Sequence, residues 1–117
     1  MKYCINIDWL QVYCHDYNTL PLDKLYNGKS EYEFILQEYS SRHFKQIWRV
    51  VDADGDDYAI IQRHPCSTIL SRDAAIIQLN NRELYKSLFA SRFLLFLREH
   101  QFTYKSLSRL DVCLDSN

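Results

Sequence analysis

The chain has 117 residues, 47% of them hydrophobic and 15% aromatic, which suits one domain with a real core and excludes a disordered tail. Fourteen Lys and Arg against fifteen Asp and Glu leave a formal net charge of −1, which excludes a protein whose affinity for nucleic acid rests on overall charge. Any nucleic-acid contact must come from a local patch. The longest fully apolar run, Phe93 to Leu97, is far short of the roughly 20 residues that span a bilayer, and Met1-Lys2-Tyr3 opens no apolar signal core, so no membrane partner is expected. Cys4, Cys14, Cys66 and Cys113 are scattered without a CxxC pair or a His at metal spacing, which reads as reduced thiols in a cytoplasmic protein.

Residues 3–14 alternate as a strand, with Tyr3, Ile5, Ile7 and Trp9 assigned to the core face and Cys4, Asn6 and Asp8 to the other. Residues 15–41 break the pattern and form an irregular insert. Asn18-Thr19-Leu20-Pro21 and Asn27-Gly28-Lys29-Ser30 are turn signals, and Glu31 to Tyr39 fits a short helix with Tyr32, Ile35, Leu36 and Tyr39 on one side.

Phe44 to Val51 and Tyr58 to Arg63 are strand-like runs around Asp52-Ala53-Asp54-Gly55-Asp56-Asp57, whose Asp-Gly pair predicts an antiparallel hairpin. An EF-hand reading of that acidic loop fails, because Asp57 stands where the required Gly belongs and Arg63 where the bidentate Glu belongs. Asp73 to Leu79 supplies another strand. Asn80-Asn81 then cap a helix that carries Leu84, Tyr85, Leu88, Phe89, Phe93, Leu95 and Phe96 and ends near His100. Tyr104 to Asp115 is the last strand. The order gives one α+β domain over 1–117, an antiparallel sheet of about five strands with one long helix packed on one face.

The last strand holds the densest chemistry. Arg109, Asp111, Cys113 and Asp115 share one face, Leu110, Val112 and Leu114 the other. If the first and last strands are neighbours, Asp8 joins that polar face, and Asp8, Asp111 and Asp115 offer hard oxygen ligands to a divalent cation such as Mg or Mn. Asp111 and Asp115 lie about 13 Å apart along a strand, so one of them is expected to pair with an Arg instead.

Ser108-Arg109-Leu110-Asp111-Val112-Cys113-Leu114-Asp115 resembles the (T/S)-R-(I/L)-D-x-x-x-D strand of the rolling-circle replication initiation factors of plasmids and mobile elements. Ile7-Asp8-Trp9-Leu10 resembles the family's opening strand, Ile76 to Asn81 its "IQISG" strand with Asn81 in place of Gly, and Leu84 to Leu97 the helix before the Arg/Asp strand. The resemblance covers only the N-terminal part of such an initiator. It implies strand nicking by a tyrosine with a divalent metal. That tyrosine belongs to sequence beyond the Arg/Asp strand, so no catalytic residue is assigned and no enzyme activity is expected of this chain.

None of the nine tyrosines has a neighbouring base that would nominate it, and His15, His43, His64 and His100 have no metal-pair spacing, so they read as surface or capping residues. The charged residues from Arg63 to Arg98 read as a solvated face. Candidate nucleic-acid contacts are Lys45, Trp48, Arg49 and Arg109, with Trp48 as the stacking ring. Three functions fit: a non-catalytic domain from a mobile element or phage that binds nucleic acid or a nucleoprotein complex, a stand-alone inhibitor of a host nucleic-acid-guided defence nuclease in the manner of anti-CRISPR proteins, or a small homodimeric interaction protein.

Overall fold

A computed structural model describes residues 3–116 and the side chains of 7–113. In chain order the elements are β1 (Tyr3–Asp16), α1 (Leu22–Tyr26), β2 (Glu33–Leu36), β3 (Phe44–Val51), β4 (Asp57–Pro65), β5 (Ala74–Leu79), a 3-10 turn (Asn81–Tyr85), α2 (Phe89–Glu99) and β6 (Phe102–Ser116). The strands form one antiparallel sheet of six, ordered β2-β3-β4-β5-β1-β6, one more than expected. First and last strands are neighbours, as the acidic face required.

The extra strand replaces the short helix expected over Glu31 to Tyr39. Tyr32 and Phe34 are both buried at a period of two, and that alternation overrides the helical spacing of Tyr32, Ile35, Leu36 and Tyr39. The Asn27 side chain completes the strand's outer edge: its Nδ2 donates to the Phe34 carbonyl at 3.1 Å and its Oδ1 accepts from the Phe34 amide at 2.7 Å. One side-chain amide thus stands in for a neighbouring peptide group.

The hairpin between β3 and β4 forms as its Asp-Gly pair predicts, with Gly55 at φ +85. Asp52 Oδ1 accepts from the amides of Asp54 and Asp56, each at 3.0 Å. The carboxylate at the head of the acidic loop is therefore occupied by the loop's own backbone.

Helices lie on one face of the sheet only. Leu22 of α1, Leu84 of the 3-10 turn and Phe93, Phe96 and Leu97 of α2 pack against Val12, Cys14, Phe34, Trp48, Val50, Ile61, Ile77 and Leu79. Asn80 caps the 3-10 turn by accepting from the Arg82 amide at 3.0 Å, as expected of an Asn before an acidic first turn. The single long helix expected from Leu84 onward is instead interrupted, because Leu88 takes a left-handed backbone conformation (φ +61) that ends one turn before α2 begins.

At its C-terminal end α2 is closed by His100, which is buried rather than on the surface. Its Nδ1 lies 2.7 Å from the Phe96 carbonyl, which accepts only, so Nδ1 carries the proton. Nε2 is then the acceptor for the Ser30 hydroxyl at 2.8 Å. The rings of Tyr26, Tyr32, Phe34 and Phe96 surround the imidazole at centroid distances of 4.5 to 5.6 Å. Burial pushes the pKa of His100 down, against the opposing pull of the Phe96 carbonyl and of Glu99 and Glu31.

Candidate nucleic-acid interface

The face away from the helices is assembled by three irregularities in the β1–β6 pairing. Ile7 pairs with Val112 and Trp9 with Asp111, so Asp8 is an extra residue on β1. Beyond that bulge Ile7 and Leu10, three positions apart, both pack on the core, while Trp9 moves to the open face. Uniform alternation had placed Trp9 in the core beside Ile7. The assignments of Tyr3, Ile5 and Cys4 to faces concern side chains outside the described residues.

On β6 the extra residues are Lys105 and Ser108, since Ser106 and Tyr104 pair with consecutive residues of β1, as do Arg109 and Leu107. Each bulge doubles the polar side of the strand and lengthens the apolar step from two to three. Tyr104, Leu107 and Leu110 therefore share the helix side, leaving Thr103, Lys105, Ser106, Ser108, Arg109 and Asp111 toward the open face.

Across this face run two ring–cation pairs. The Arg109 guanidinium lies 4.3 Å from the centre of the Trp9 ring, and the Lys105 ammonium 4.9 Å from that of Tyr13. Trp9 Nε1 donates to Gln11 Oε1 at 3.3 Å, and Gln11 Nε2 donates to Ser108 Oγ at 3.2 Å, which ties the two strands together beneath the rings. His15 stands edge-on to Tyr13 and stacks on the exposed ring of Tyr17, with centroids 5.7 Å apart and planes inclined by 11°. Its Nδ1 meets Asp73 Oδ2 at 3.0 Å. The Asp73 carboxyl is held below its ordinary pKa range, first by the Ser71 hydroxyl, then by its own backbone amide and by His15.

Register extends the surface over the whole sheet. Ile35, Arg49, Ile60, Gln78, Gln11 and Arg109 are successive partners, one from each strand from β2 to β6. Four strand spacings separate Arg49 from Arg109, about 19 Å. Arg49 Nε donates to Asp57 Oδ1 across the hairpin, and alternation along β3 puts exposed Lys45 on the same side.

The sequence-level candidates divide accordingly. Arg49, Arg109 and Lys45 reach the open face. Trp48 does not: it is 1% exposed in the core, with Nε1 on Gln46 Oε1 at 3.1 Å, so it has no ring face to offer a base. The aromatic rings that do lie on the open face are Trp9 and Tyr13. Arg63, taken as a surface charge, is 2% exposed and clamps the insert. Its Nη1 donates to the Leu20 carbonyl at 2.8 Å, its Nη2 to the Asn18 carbonyl at 2.6 Å, and Nη2 lies 2.7 Å from Asp16 Oδ2. Burial raises the Asp16 pKa, and Arg63 offsets part of that rise.

Of the acidic trio expected to hold a cation, Asp8 and Asp111 have described side chains. Arg109 holds both oxygens of Asp111, through Nη2 at 2.7 Å and Nε at 3.3 Å, the Arg pairing that strand spacing required of one of the two Asp. Asp8 is exposed on the bulge, and the Asp115 side chain lies outside the described residues. Among the described residues no group of three or more His, Cys, Asp or Glu converges. The phenols of Tyr32 and Tyr58, both buried, and of partly buried Tyr26 have raised pKa values, in each case chiefly through desolvation, the opposite of what activates a tyrosine nucleophile.

No helix among the described residues is long and apolar enough to cross a membrane. Comparison with known proteins finds no family model, no curated protein and no solved structure that matches this chain, so its functional reading rests on the chemistry of the open face.

Proposed function

We propose that this domain binds single-stranded nucleic acid across the open face of its sheet and does not cut it. The observation that carries the reading is the pair of cation-backed rings, Trp9 with Arg109 and Tyr13 with Lys105, on a face that the helices leave uncovered. Rings on an open antiparallel sheet stack with unpaired bases, each stack contributing about 1–3 kcal/mol, whereas a duplex keeps its base faces stacked inside. The net charge of −1 makes stacking rather than phosphate attraction the main source of affinity. Two to four phosphates met by Lys45, Lys105, Arg49 and Arg109 would give a shallow salt dependence, a log–log slope of about −1.4 to −2.8. This reading agrees with the resemblance to the DNA-binding part of replication initiators and needs no metal.

Fluorescence anisotropy with a labelled 12-nucleotide single strand, and with the same sequence as a duplex, tests the proposal. Wild type is expected to prefer the single strand, and Trp9→Ala and Tyr13→Ala each to weaken it by a factor of about 5–150. Equal binding of the duplex, or unchanged affinity in both variants, would refute it.

The homodimer reading also has an observation in its favour. Tyr104, Leu107, Leu110 and Val112 are 43% to 56% exposed on the helix side of β6, an apolar stripe at the sheet edge. A second copy covering that stripe would leave the open face free. Light scattering of wild type beside Leu107→Lys tests it: a dimer reduced to monomer by the substitution supports this reading, and a monomeric wild type excludes it.

A further inference from the structure

Beside the rings, on the same face, the sheet carries a cavity of about 230 Å³ over β3 and β4, between the residues after β2 and the end of β5. Ile47 and Ile60 contribute apolar floor, the Arg49–Asp57 ion pair one wall, and Tyr39, 62% exposed, the rim. The volume equals the share of roughly eight waters, below the range of drug-sized sites and matched to a flat group of on the order of ten heavy atoms.

Four side-chain amides line this cavity, and two of them are already engaged. Gln37 Nε2 donates to the Ile35 carbonyl at 3.0 Å, and Asn80 Oδ1 caps the 3-10 turn. The other two, Gln78 and Asn81, have no side-chain hydrogen bond among the described residues. An amide offers a donor and an acceptor side by side, the complement of a base edge that carries an amino group next to a ring nitrogen; cytosine has one such edge and adenine two, so adenine alone can meet both amides at once. Arg49, the side chain that would otherwise select guanine, is held by Asp57.

We infer that this cavity is a base-selective pocket that takes one adenine, stacked against Tyr39 and read by the amides of Gln78 and Asn81. The inference rests on the proposed single-strand platform and adds sequence preference to it. Gln78 is the cross-strand partner of Gln11, and Gln11 of Arg109, so the pocket lies about two strand spacings, ~10 Å, from the Trp9 stack. A strand lying over Trp9 and Tyr13 reaches the pocket with a neighbouring nucleotide.

The test is anisotropy with labelled dA12, dC12 and dT12 on wild type, Gln78→Leu/Asn81→Ala, and Asn81→Ala alone. Asn81 is exposed, so its single variant keeps the test valid if the double variant fails to fold. A bidentate amide contact predicts that wild type prefers dA12 by a factor of about 5–150. The double variant should bring dA12 to within about twofold of dT12 and leave dT12 unchanged, and Asn81→Ala should lower dA12 selectively. Equal affinity of wild type for the three strands, or loss of all three together in the variants, overturns the pocket while leaving the platform standing. Failure of wild type to bind any of them overturns the platform and the pocket with it.

Discussion

His100 makes the fold acid-sensitive by an amount that can be worked out beforehand. Its ring is 1% exposed, its two nitrogens are fixed as donor to Phe96 and acceptor from Ser30, and four aromatic rings enclose it. Protonating Nε2 would turn the Ser30 hydroxyl's acceptor into a donor, in a site shielded from bulk solvent. The folded state therefore binds fewer protons than the unfolded chain, whose histidines titrate near 6.5, and stability falls as pH falls through that value. A histidine kept neutral across the range costs up to about 2 kcal/mol between about pH 7 and pH 5. Urea unfolding of wild type and His100→Gln at both pH values isolates the effect from the carboxylates. Wild type should lose up to about 2 kcal/mol more than the variant on acidification. Equal losses would mean that the imidazole is not held neutral, and the tautomer argument would fall.

Three further outcomes follow from the packing. Trp48→Ala should cost about 3–5 kcal/mol in urea unfolding and Trp9→Ala much less, because only Trp48 is in the core; the reverse ranking would remove the bulge at Asp8. Arg63→Met should cost about 3–5 kcal/mol by leaving Asp16 buried without its cation, and adding Asp16→Leu should recover most of that; no recovery would mean the loss comes from the Leu20 and Asn18 carbonyls instead. Asp111→Asn frees the Arg109 guanidinium and removes a negative charge from the face, so single-strand binding should tighten about 2- to 5-fold; weaker, magnesium-dependent binding would instead reveal a metal role for the carboxylate.

The elements with strong local signals were legible in the chain. Asp54-Gly55 marks the hairpin, Asn80 the cap of the 3-10 turn, and the alternation of Arg109 to Val112 the polar and apolar sides of the last strand. What escaped depends on partners distant in sequence. The bulge at Asp8 leaves no mark in residues 3–14 read alone, and it decides which side Trp9 faces. Arg63 resembles any strand-borne surface charge until Asp16 and the 17–20 backbone close over it. Leu88 is not a residue type associated with left-handed backbone, so the break before α2 went unseen. One signal does lie in the sequence: Tyr104, Leu107 and Leu110 recur every three residues, between the polar pairs Lys105-Ser106 and Ser108-Arg109. In a strand that spacing marks bulges, and it would have placed Lys105 beside Arg109 on the open side.

The central claim, that a single strand lies on the uncovered face, is tested most directly by mapping amide and side-chain chemical-shift changes while a 12-nucleotide single strand is titrated into labelled protein. The account predicts that the shifts cluster at Trp9, Gln11, Tyr13, Gln78, Lys105 and Arg109, with the indole N–H of Trp9 moving and that of Trp48 still. Shifts confined to α2 and to Leu107, Leu110 and Val112, or no shifts at all, would contradict it.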